Sequence, residues 1–355
     1  MPAARPRITL ITTGGTIAGA AASATDLRGY TAGQLDGADL LAAVPQLAAL
    51  ATVSAEPLFA LDSKDMTPAH WLALSRRVQA LADDPTVDGI VITHGTDTLE
   101  ESAYFLTLTV ARRKPVVLTA AMRPATALSA DGPLNLYQAV QLAARPAAAR
   151  AGVLAVLGDR ILPAATLAKR HPSAVDAFTQ PGALTVTASD TALQALAGPP
   201  AAPLRLPAGL TQLPPVEILT VAAGSTPALL GAAVRSLHRA PDSGEEKGAG
   251  GADAGAGTTR QRRGPSRPGG GLVLALPGNA SLPAPWRAAL EALPPTLPVV
   301  LASRCGGGTV ARGHALPAHW LHAGPLDALK ARVRLIAALA AGLHGARLQR
   351  WFERV

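Results

Sequence analysis

Short apolar runs alternate with longer amphipathic stretches along most of the chain. In the first half, five runs rich in β-branched residues predict strands, and the segments between them carry apolar residues at helical spacing. This alternation is typical of an α/β fold with a mostly parallel sheet flanked by helices. The predicted strands lie near residues 8–12, 52–59, 88–93, 115–120 and 152–157, and the predicted helices near 68–82, 98–110 and 133–144.

The pattern changes near the middle of the chain. Residues 196–215 are rich in proline and alanine and predict a linker between an N-terminal catalytic domain at 1–195 and a smaller C-terminal α/β domain at 216–355. Within the second domain, residues 241–271 are rich in glycine, alanine and proline, a composition that predicts a flexible insertion. The remaining predicted elements are strands near 216–221, 271–276 and 298–302 and helices near 226–238 and 326–343.

Two of the predicted strands end in loops that carry threonine and glycine. The strand near 8–12 leads into TGGTIAG at residues 13–19, and the strand near 88–93 leads into HGTDTLEE at residues 94–101. The carboxyl ends of parallel strands are where α/β proteins place their chemistry. Glycines also let a small ligand approach main-chain N–H groups, which can receive developing negative charge. The first loop has no Gly-Lys-Ser/Thr ending, and its glycines, Gly14, Gly15 and Gly19, do not fit the dinucleotide-binding spacing.

The second loop predicts a helix start. Thr98 and Glu101 are in capping-box spacing, so Thr96 and Asp97 are expected on the turn between strand and helix. By themselves, a threonine and an aspartate at this point are ordinary capping residues. A second loop with a threonine, at the end of another strand, makes a catalytic site the favoured interpretation.

These two loops resemble the asparaginase and glutaminase family, and most of all its bacterial-type L-asparaginases. Three further segments resemble the family in the same order: DSKDM at 62–66, AMRP at 121–124 and SADGPLNL at 129–136. The resemblance implies a hydrolase that converts L-asparagine to L-aspartate and ammonia. It also implies that the reaction uses no cofactor and no metal.

The resemblance implies a role for individual residues. Thr16 would attack the amide carbon to form an acyl-enzyme, assisted by Tyr30 on a mobile lid. Thr96, Asp97 and Lys169 would form a second cluster, in which the charge of Lys169 favours loss of the Thr96 proton. Thr96 would then position or activate water. The sequence does not decide which threonine acts first, and Thr16 is the expected nucleophile.

Substrate binding has its own requirement, because free asparagine is a zwitterion and a site that excludes water must pair both charges. Thr96 and Asp97 would contact the substrate, with Asp97 pairing with its ammonium group. Ser63 and nearby N–H groups would hold the carboxylate, and Gly15 would let the main chain approach the ligand. Lys64 stands where the family usually has glutamine or a small residue, and it either strengthens carboxylate binding or projects into solvent.

Specificity and assembly follow from the resemblance as well. Several periplasmic members carry a glutamate, donated by a neighbouring subunit, that binds the substrate ammonium, whereas residues 304–327 contain no glutamate. We therefore expect a preference for asparagine, with weak or no glutaminase activity. A homodimer or homotetramer is expected, with Asn279 and Arg304 either in the subunit contact or structural. His94 is expected to support its turn rather than act as a base.

Charge and composition bear on whether the protein binds nucleic acid or a metal ion. The formal net charge is +8, yet the compact arginine cluster, at 260–263 with Arg267, lies in the predicted insertion and has no aromatic residues for base stacking. Nucleic acid is therefore not an expected partner. The single cysteine, Cys305, permits no intrachain disulfide, and the eight histidines show no metal-ligand spacing.

The expected location is the cytoplasm. No apolar run approaches the length of a membrane span. The first apolar stretch is short and continues into residues 13–16, so a cleaved leader would remove the expected nucleophile and is not predicted.

Two other classes of function compete with a hydrolase. A glutaminase-like amidotransferase subunit would carry an extra N-terminal module, whereas the first strand begins near residue 8. A non-catalytic amino-acid-binding protein would be expected to lack some of the four residues Thr16, Thr96, Asp97 and Lys169, and all four are present. The sequence therefore favours the hydrolase.

Overall fold

The chain divides into two compact units, Met1–Gln212 and Leu213–Val355, each with its own sheet. The computed structural model describes residues 4–178, 180, 183–196, 202–237, 269–311 and 316–354. Most of the predicted insertion, 241–268, falls outside the described residues. Gly271, the last residue of the predicted insertion and the first of the predicted strand at 271–276, belongs to the strand. That strand is apolar throughout and is buried in the second sheet.

The N-terminal unit is built on one mixed sheet. Among its described residues the strand order is β2-β1-β3-β4-β5-β6-β7, in which the first five strands are parallel and the last two join antiparallel. This arrangement confirms the predicted fold class. The strands are β1 (Arg7–Gly14), β2 (Thr52–Leu61), β3 (Gly89–Thr93), β4 (Val116–Thr119), β5 (Val153–Leu157), β6 (Arg160–Pro163) and β7 (Leu184–Thr185).

Helices cover both faces of this sheet, which explains the continuous apolar runs of its central strands. Alternate residues of each strand enter opposite cores. Ile90 and Ile92 pack into one core, and Val91, between them, packs into the other. The helices are α1 (Gly37–Ala42), α2 (Leu47–Leu50), α3 (Pro68–Asp83), α4 (Leu99–Thr109), α5 (Gly132–Ala143) and α6 (Asp190–Ala195).

Strand order places a crevice at one edge of the sheet. The chain passes from β1 to β2 on one side of β1 and then crosses to β3 on the other side. The connections therefore diverge at the carboxyl end of β1, which is a topological switch point. Ligands bind to open α/β sheets at such points, and the loops after β1, β2 and β3 all meet there.

The predicted capping box at the start of α4 is wrong. Thr98 is the N-cap residue, but its side chain makes no capping hydrogen bond. Instead, the Thr98 hydroxyl donates to the carbonyl oxygen of Ser63 at 2.8 Å. The loop after β2 lies close enough to offer this acceptor, so a contact between two loops replaces the local cap.

The antiparallel end of the sheet was not predicted from the sequence. Gly158 and Asp159 form a two-residue turn between β5 and β6, both with positive φ (54° and 63°). Positive φ at both central residues matches the right-handed twist of a hairpin. This turn sends the chain back along the sheet edge, where β6 shields β5 from solvent.

Part of the predicted linker lies against the N-terminal unit. The N–H of Leu204 donates to the carbonyl of Leu108 at 2.8 Å, and the Arg76 guanidinium donates to the carbonyl of Ala208 at 3.1 Å. These bonds fix the described residues of this segment, from 202 onward, at the surface of the unit.

The C-terminal unit contains a parallel sheet with strand order β11-β10-β9-β8 in its described residues. The central strand β9 is buried along its whole length, as its unbroken apolar sequence requires. Nowhere in the described ranges of the chain is a helix long and apolar enough to cross a membrane. The elements are β8 (Val216–Thr220), α7 (Leu230–Ser236), β9 (Gly271–Leu276), α8 (Ala284–Glu291), β10 (Val299–Ser303), β11 (Leu321–His322), α9 (Ala328–Ala340) and α10 (Gly345–Phe352).

Candidate active site

The two threonine loops meet because their strands are neighbours. β1 and β3 run parallel with Leu10 opposite Val91, so their carboxyl ends lie at the same edge. β2 flanks β1 on its other side and ends at Leu61. Three adjacent strands therefore deliver Ser63, Thr16 and Thr96 to one edge of the sheet.

Glycines allow the three loops to touch main chain to main chain. Gly15 has φ 80°, in the left-handed region, and a Cβ on it would lie 2.5 Å from the Cα of Gly95. A Cβ on Gly95 would in turn lie 2.5 Å from the Ser63 Oγ. Real Cβ atoms do not come this close to other atoms, so only glycine fits at either position. The close packing brings the flanking threonines toward one another.

Thr16 lies in a short 3₁₀ turn, Thr16–Ala18, directly after this contact. Its hydroxyl is 2.6 Å from the phenol oxygen of Tyr30, and either group can donate the proton. Tyr30 comes from the loop between residues 20 and 31, which is closed at its base by reciprocal N–H to carbonyl bonds between Ala20 and Thr31. The structure therefore holds a tyrosine against the expected nucleophile.

Thr96 is joined to a cation. The Lys169 ammonium donates to the Thr96 hydroxyl at 2.9 Å and to Asp97 Oδ1 at 2.6 Å. The Lys169 side chain is only 14% exposed, whereas that of Asp97 is 57% exposed. A largely buried positive charge in contact with a hydroxyl favours the deprotonated form of that hydroxyl.

Ser63 connects this cluster to the loop after β2. Its hydroxyl accepts the N–H of Asp97 at 3.2 Å and is almost completely buried. Because it accepts that bond, the hydroxyl keeps its own proton for donation. Ser63 is therefore suited to bind a carboxylate oxygen in the cavity that it lines.

One cavity collects most of the predicted site residues. It has a volume of about 640 Å³, and six of the predicted site residues line it: Thr16, Tyr30, Ser63, Thr96, Asp97 and Lys169. Several other lining residues were assigned no role from the sequence, and only those in the family-like segments at 62–66 and 121–124 carried any signal. These are Leu27, Arg28, Asp62, Met122, Arg123 and the loop at 172–175.

Two predicted binding residues are not brought to the cavity wall. The Lys64 ammonium pairs with Asp62 at 2.5 Å and with Asp65 at 3.7 Å, and its side chain is 62% exposed. The hydrogen bond to Asp62 raises the pKa of Lys64. The N–H of Gly15 donates to the carbonyl of Leu61 at 2.9 Å, so it is not available to an oxyanion. Gly15 contributes through its close packing instead.

His94 lies beneath the site rather than in it. Its ring is completely buried, and its Nδ1 lies 2.8 Å from the carbonyl oxygen of Gly95. Burial lowers the pKa of His94 to about 4, so the ring is neutral at ordinary pH. Since His94 does not line the cavity, it supports the turn before Thr96.

Asn279 and Arg304, which were expected either in a subunit contact or in a structural role, form hydrogen bonds within the C-terminal unit. Asn279 accepts the N–H of Ala311 at 2.8 Å, and the Arg304 guanidinium donates to the carbonyl of Val221 at 3.3 Å. In the part of the chain that the structure describes, no three histidine, cysteine, aspartate or glutamate residues are grouped as metal ligands.

Each of the two units matches a model of a known protein family. Residues 7–197 match the model described as asparaginase, N-terminal, and residues 215–352 match the glutaminase/asparaginase C-terminal domain. These two matches cover most of the chain.

Three curated relatives each match about half of this chain. L-asparaginase 2 of Escherichia coli K12 is 48% identical over 175 residues, which cover 49% of this chain and 49% of the relative. L-asparaginase 2 of Bacillus subtilis is 47% identical over 173 residues, covering 49% and 46%. A glutaminase-asparaginase of Pseudomonas aeruginosa is 48% identical over 174 residues, covering 49% and 48%. Each match spans about half the length of the relative.

A solved structure matches the whole chain. The probable cytoplasmic L-asparaginase of Campylobacter jejuni superposes with a TM-score of 0.80 at 34% sequence identity. The match covers 99% of this chain and 100% of that one. The fold of both units is therefore shared with that protein.

Close packing of the loops predicts the effect of a single methyl group. Gly15→Ala should reduce the free energy of unfolding by about 2 to 3 kcal/mol, because the methyl group would overlap Gly95 and φ is positive. Gly209→Ala is the matched control, since nothing lies within 4 Å of its Cβ position. Urea unfolding of both variants measures the difference. Equal stability of the two variants would contradict this account of the loops.

Proposed function

The chain belongs to the asparaginase family, and from that membership and the geometry of its cavity we propose that it is an L-asparagine amidohydrolase that releases L-aspartate and ammonia. One observation carries the proposal. Two threonine hydroxyls line the same cavity, and each is hydrogen-bonded to a group that can assist its proton transfer. Amide hydrolysis through an acyl-enzyme needs a nucleophile and an activated water, which two such hydroxyls can supply.

The first half of the reaction is assigned to Thr16. Its oxygen attacks the carboxamide carbon of the substrate while its proton passes toward Tyr30, whose phenol oxygen is in hydrogen-bond contact. The carbon–nitrogen bond then breaks, and the leaving nitrogen takes up a proton and departs as ammonia. The result is an aspartyl ester on Thr16. Tyr30 serves as the proton carrier of this step.

The second half is assigned to Thr96 and Lys169. With the charge of Lys169 held at 2.9 Å, the Thr96 oxygen can accept a proton from the attacking water while it gives up its own proton, which is passed on to the Thr16 oxygen as that oxygen leaves the ester. The ester bond breaks, aspartate leaves, and the Thr16 hydroxyl is restored. The two threonines of these steps follow the neighbouring strands β1 and β3, and Lys169 comes from the segment after β6.

The charges of the substrate have matching groups in the cavity. Asp97 uses one carboxylate oxygen for Lys169, and its largely exposed side chain leaves the other for the substrate ammonium. Ser63 offers its hydroxyl proton to the carboxylate. A substrate that carries both charges next to its amide is therefore favoured over a simple amide.

A preference for asparagine over glutamine is part of the proposal. It rests on the absence of glutamate from residues 304–327, where a neighbouring subunit of periplasmic members donates one. The Pseudomonas relative is named for both activities, so membership of the family alone does not fix the preference. We also propose a homodimer or homotetramer and a cytoplasmic location, which agrees with the name of the Campylobacter protein.

We expect the removal of either threonine hydroxyl to lower the activity, and the removal of the Thr16 hydroxyl to lower it more. Thr16→Ala should lower kcat for L-asparagine by about a thousandfold or more, because no nucleophile remains. Thr96→Val should lower it by about a hundredfold or more, because water activation is lost. Thr52→Val is the control, since this threonine is exposed at the opposite end of β2. Ammonia release from purified protein is the measurement, and full activity of either site variant would refute its assigned role.

The selectivity proposal has its own test. The kcat/KM for L-glutamine should be at least about tenfold below that for L-asparagine, because one extra methylene in a fitted site costs at least this factor. Parallel assays of ammonia release from the two amides give the ratio. Comparable values would refute the preference while leaving the amidohydrolase proposal intact.

A further inference from the structure

The charged groups of the cavity are unequally paired. Five charged side chains line it, and the two carboxylates among them already have cationic partners: Asp62 pairs with Lys64, and Asp97 pairs with Lys169. The remaining lining residues with charge are Arg28 and Arg123. An amino acid that enters this cavity therefore meets cationic groups without a carboxylate of their own.

The two arginines differ in how they are held. The Arg123 guanidinium donates to the carbonyl of Ser129 at 3.0 Å, which fixes it in the wall. Within the described residues, the guanidinium of Arg28 has neither a hydrogen bond nor an ion pair. Arg28 is therefore the lining cation that remains available for a ligand.

A turn built around Asp26 sets the position of Arg28. Asp26 Oδ1 accepts the N–H groups of Arg28 at 3.0 Å and of Gly29 at 2.7 Å. These bonds lower the pKa of Asp26. A Cβ at Gly29 would lie 2.4 Å from the Asp26 carboxylate, so a larger residue there would displace the carboxylate that accepts these bonds. The turn is thus shaped by an ionised aspartate and presents the next residues to the cavity.

The same loop carries Tyr30 to Thr16. Arg28 is two residues from Tyr30, whose hydroxyl is 2.6 Å from the Thr16 hydroxyl, and both side chains line the cavity. A substrate that places its amide at Thr16 therefore shares the cavity with the guanidinium of Arg28. Guanidinium binds carboxylates through paired N–H donors, which gives both strength and orientation.

We propose that Arg28 determines specificity by pairing with the α-carboxylate of the substrate. This inference rests on the proposed asparagine hydrolysis. Arg28 would act together with Ser63, which also lines the cavity: the hydroxyl offers one hydrogen bond, and the guanidinium offers charge. A substrate whose α-carboxylate is replaced by a neutral group would lose the contact.

Paired substrates and variants isolate this contact. L-asparagine is compared with L-asparaginamide, which keeps the side-chain amide and the ammonium group but has no α-carboxylate. Arg28→Gln should lower kcat/KM for L-asparagine about tenfold, mainly through KM, and change that for L-asparaginamide less than about twofold. The kcat/KM of Arg28→Lys for L-asparagine should lie between those of the wild type and Arg28→Gln, because lysine keeps the charge but loses the paired N–H donors of the guanidinium.

The control removes an arginine elsewhere. Arg150 is exposed, lies in the turn before β5 at the opposite edge of the sheet, and does not line the cavity. Arg150→Gln should leave both substrates unchanged, which separates a local pair from the effect of net charge. An equal loss on both substrates in Arg28→Gln, or no loss on either, would overturn the proposal.

Binding of the product separates this inference from the proposed function. Calorimetry of L-aspartate with Thr16→Ala, with and without Arg28→Gln, requires no turnover. A roughly tenfold weaker affinity in the double variant would support the Arg28 contact even if the wild type released no ammonia. Equal affinities, or the absence of L-aspartate binding by both proteins, would overturn it.

Discussion

The site depends on the contact between Gly15 and Gly95. Each follows a central strand of the sheet, and neither position has room for a Cβ. A parallel register carries the two strand ends to the same edge. A side chain on Gly15 would push its loop away from Gly95, and one on Gly95 would push that loop away from Ser63. The separation of two main chains therefore controls whether the Thr16 and Thr96 hydroxyls can serve one substrate.

Ion pairs hold most of the charged side chains around the Thr16 and Thr96 hydroxyls in place. Lys169 is largely buried between Thr96 and Asp97, so its charge acts on the hydroxyl and also fixes the carboxylate. Lys64 plays no such part, because Asp62 holds it at the surface. His94 is completely buried below the turn and does not line the cavity, so it does not reach a substrate bound there.

The sequence predicted the large strands and helices well, because central parallel strands such as β3 are continuous apolar runs between amphipathic segments. It missed the turn at Gly158 and Asp159, whose composition is a hairpin signal. Contacts between distant loops were beyond local patterns: the bond from Thr98 to Ser63 replaced a predicted cap. Arg28 carried no signal, since an arginine in a polar loop is usually solvated.

The central claim is that Thr16 becomes acylated while Thr96 serves the water step. Acid quenching of Thr96→Val during turnover of L-asparagine, followed by peptide mass spectrometry, tests it most directly. Because water activation is slowed in this variant, an aspartyl ester should accumulate on the peptide that contains Thr16. An ester found on another residue, or ammonia release with no ester on Thr16, would contradict the account.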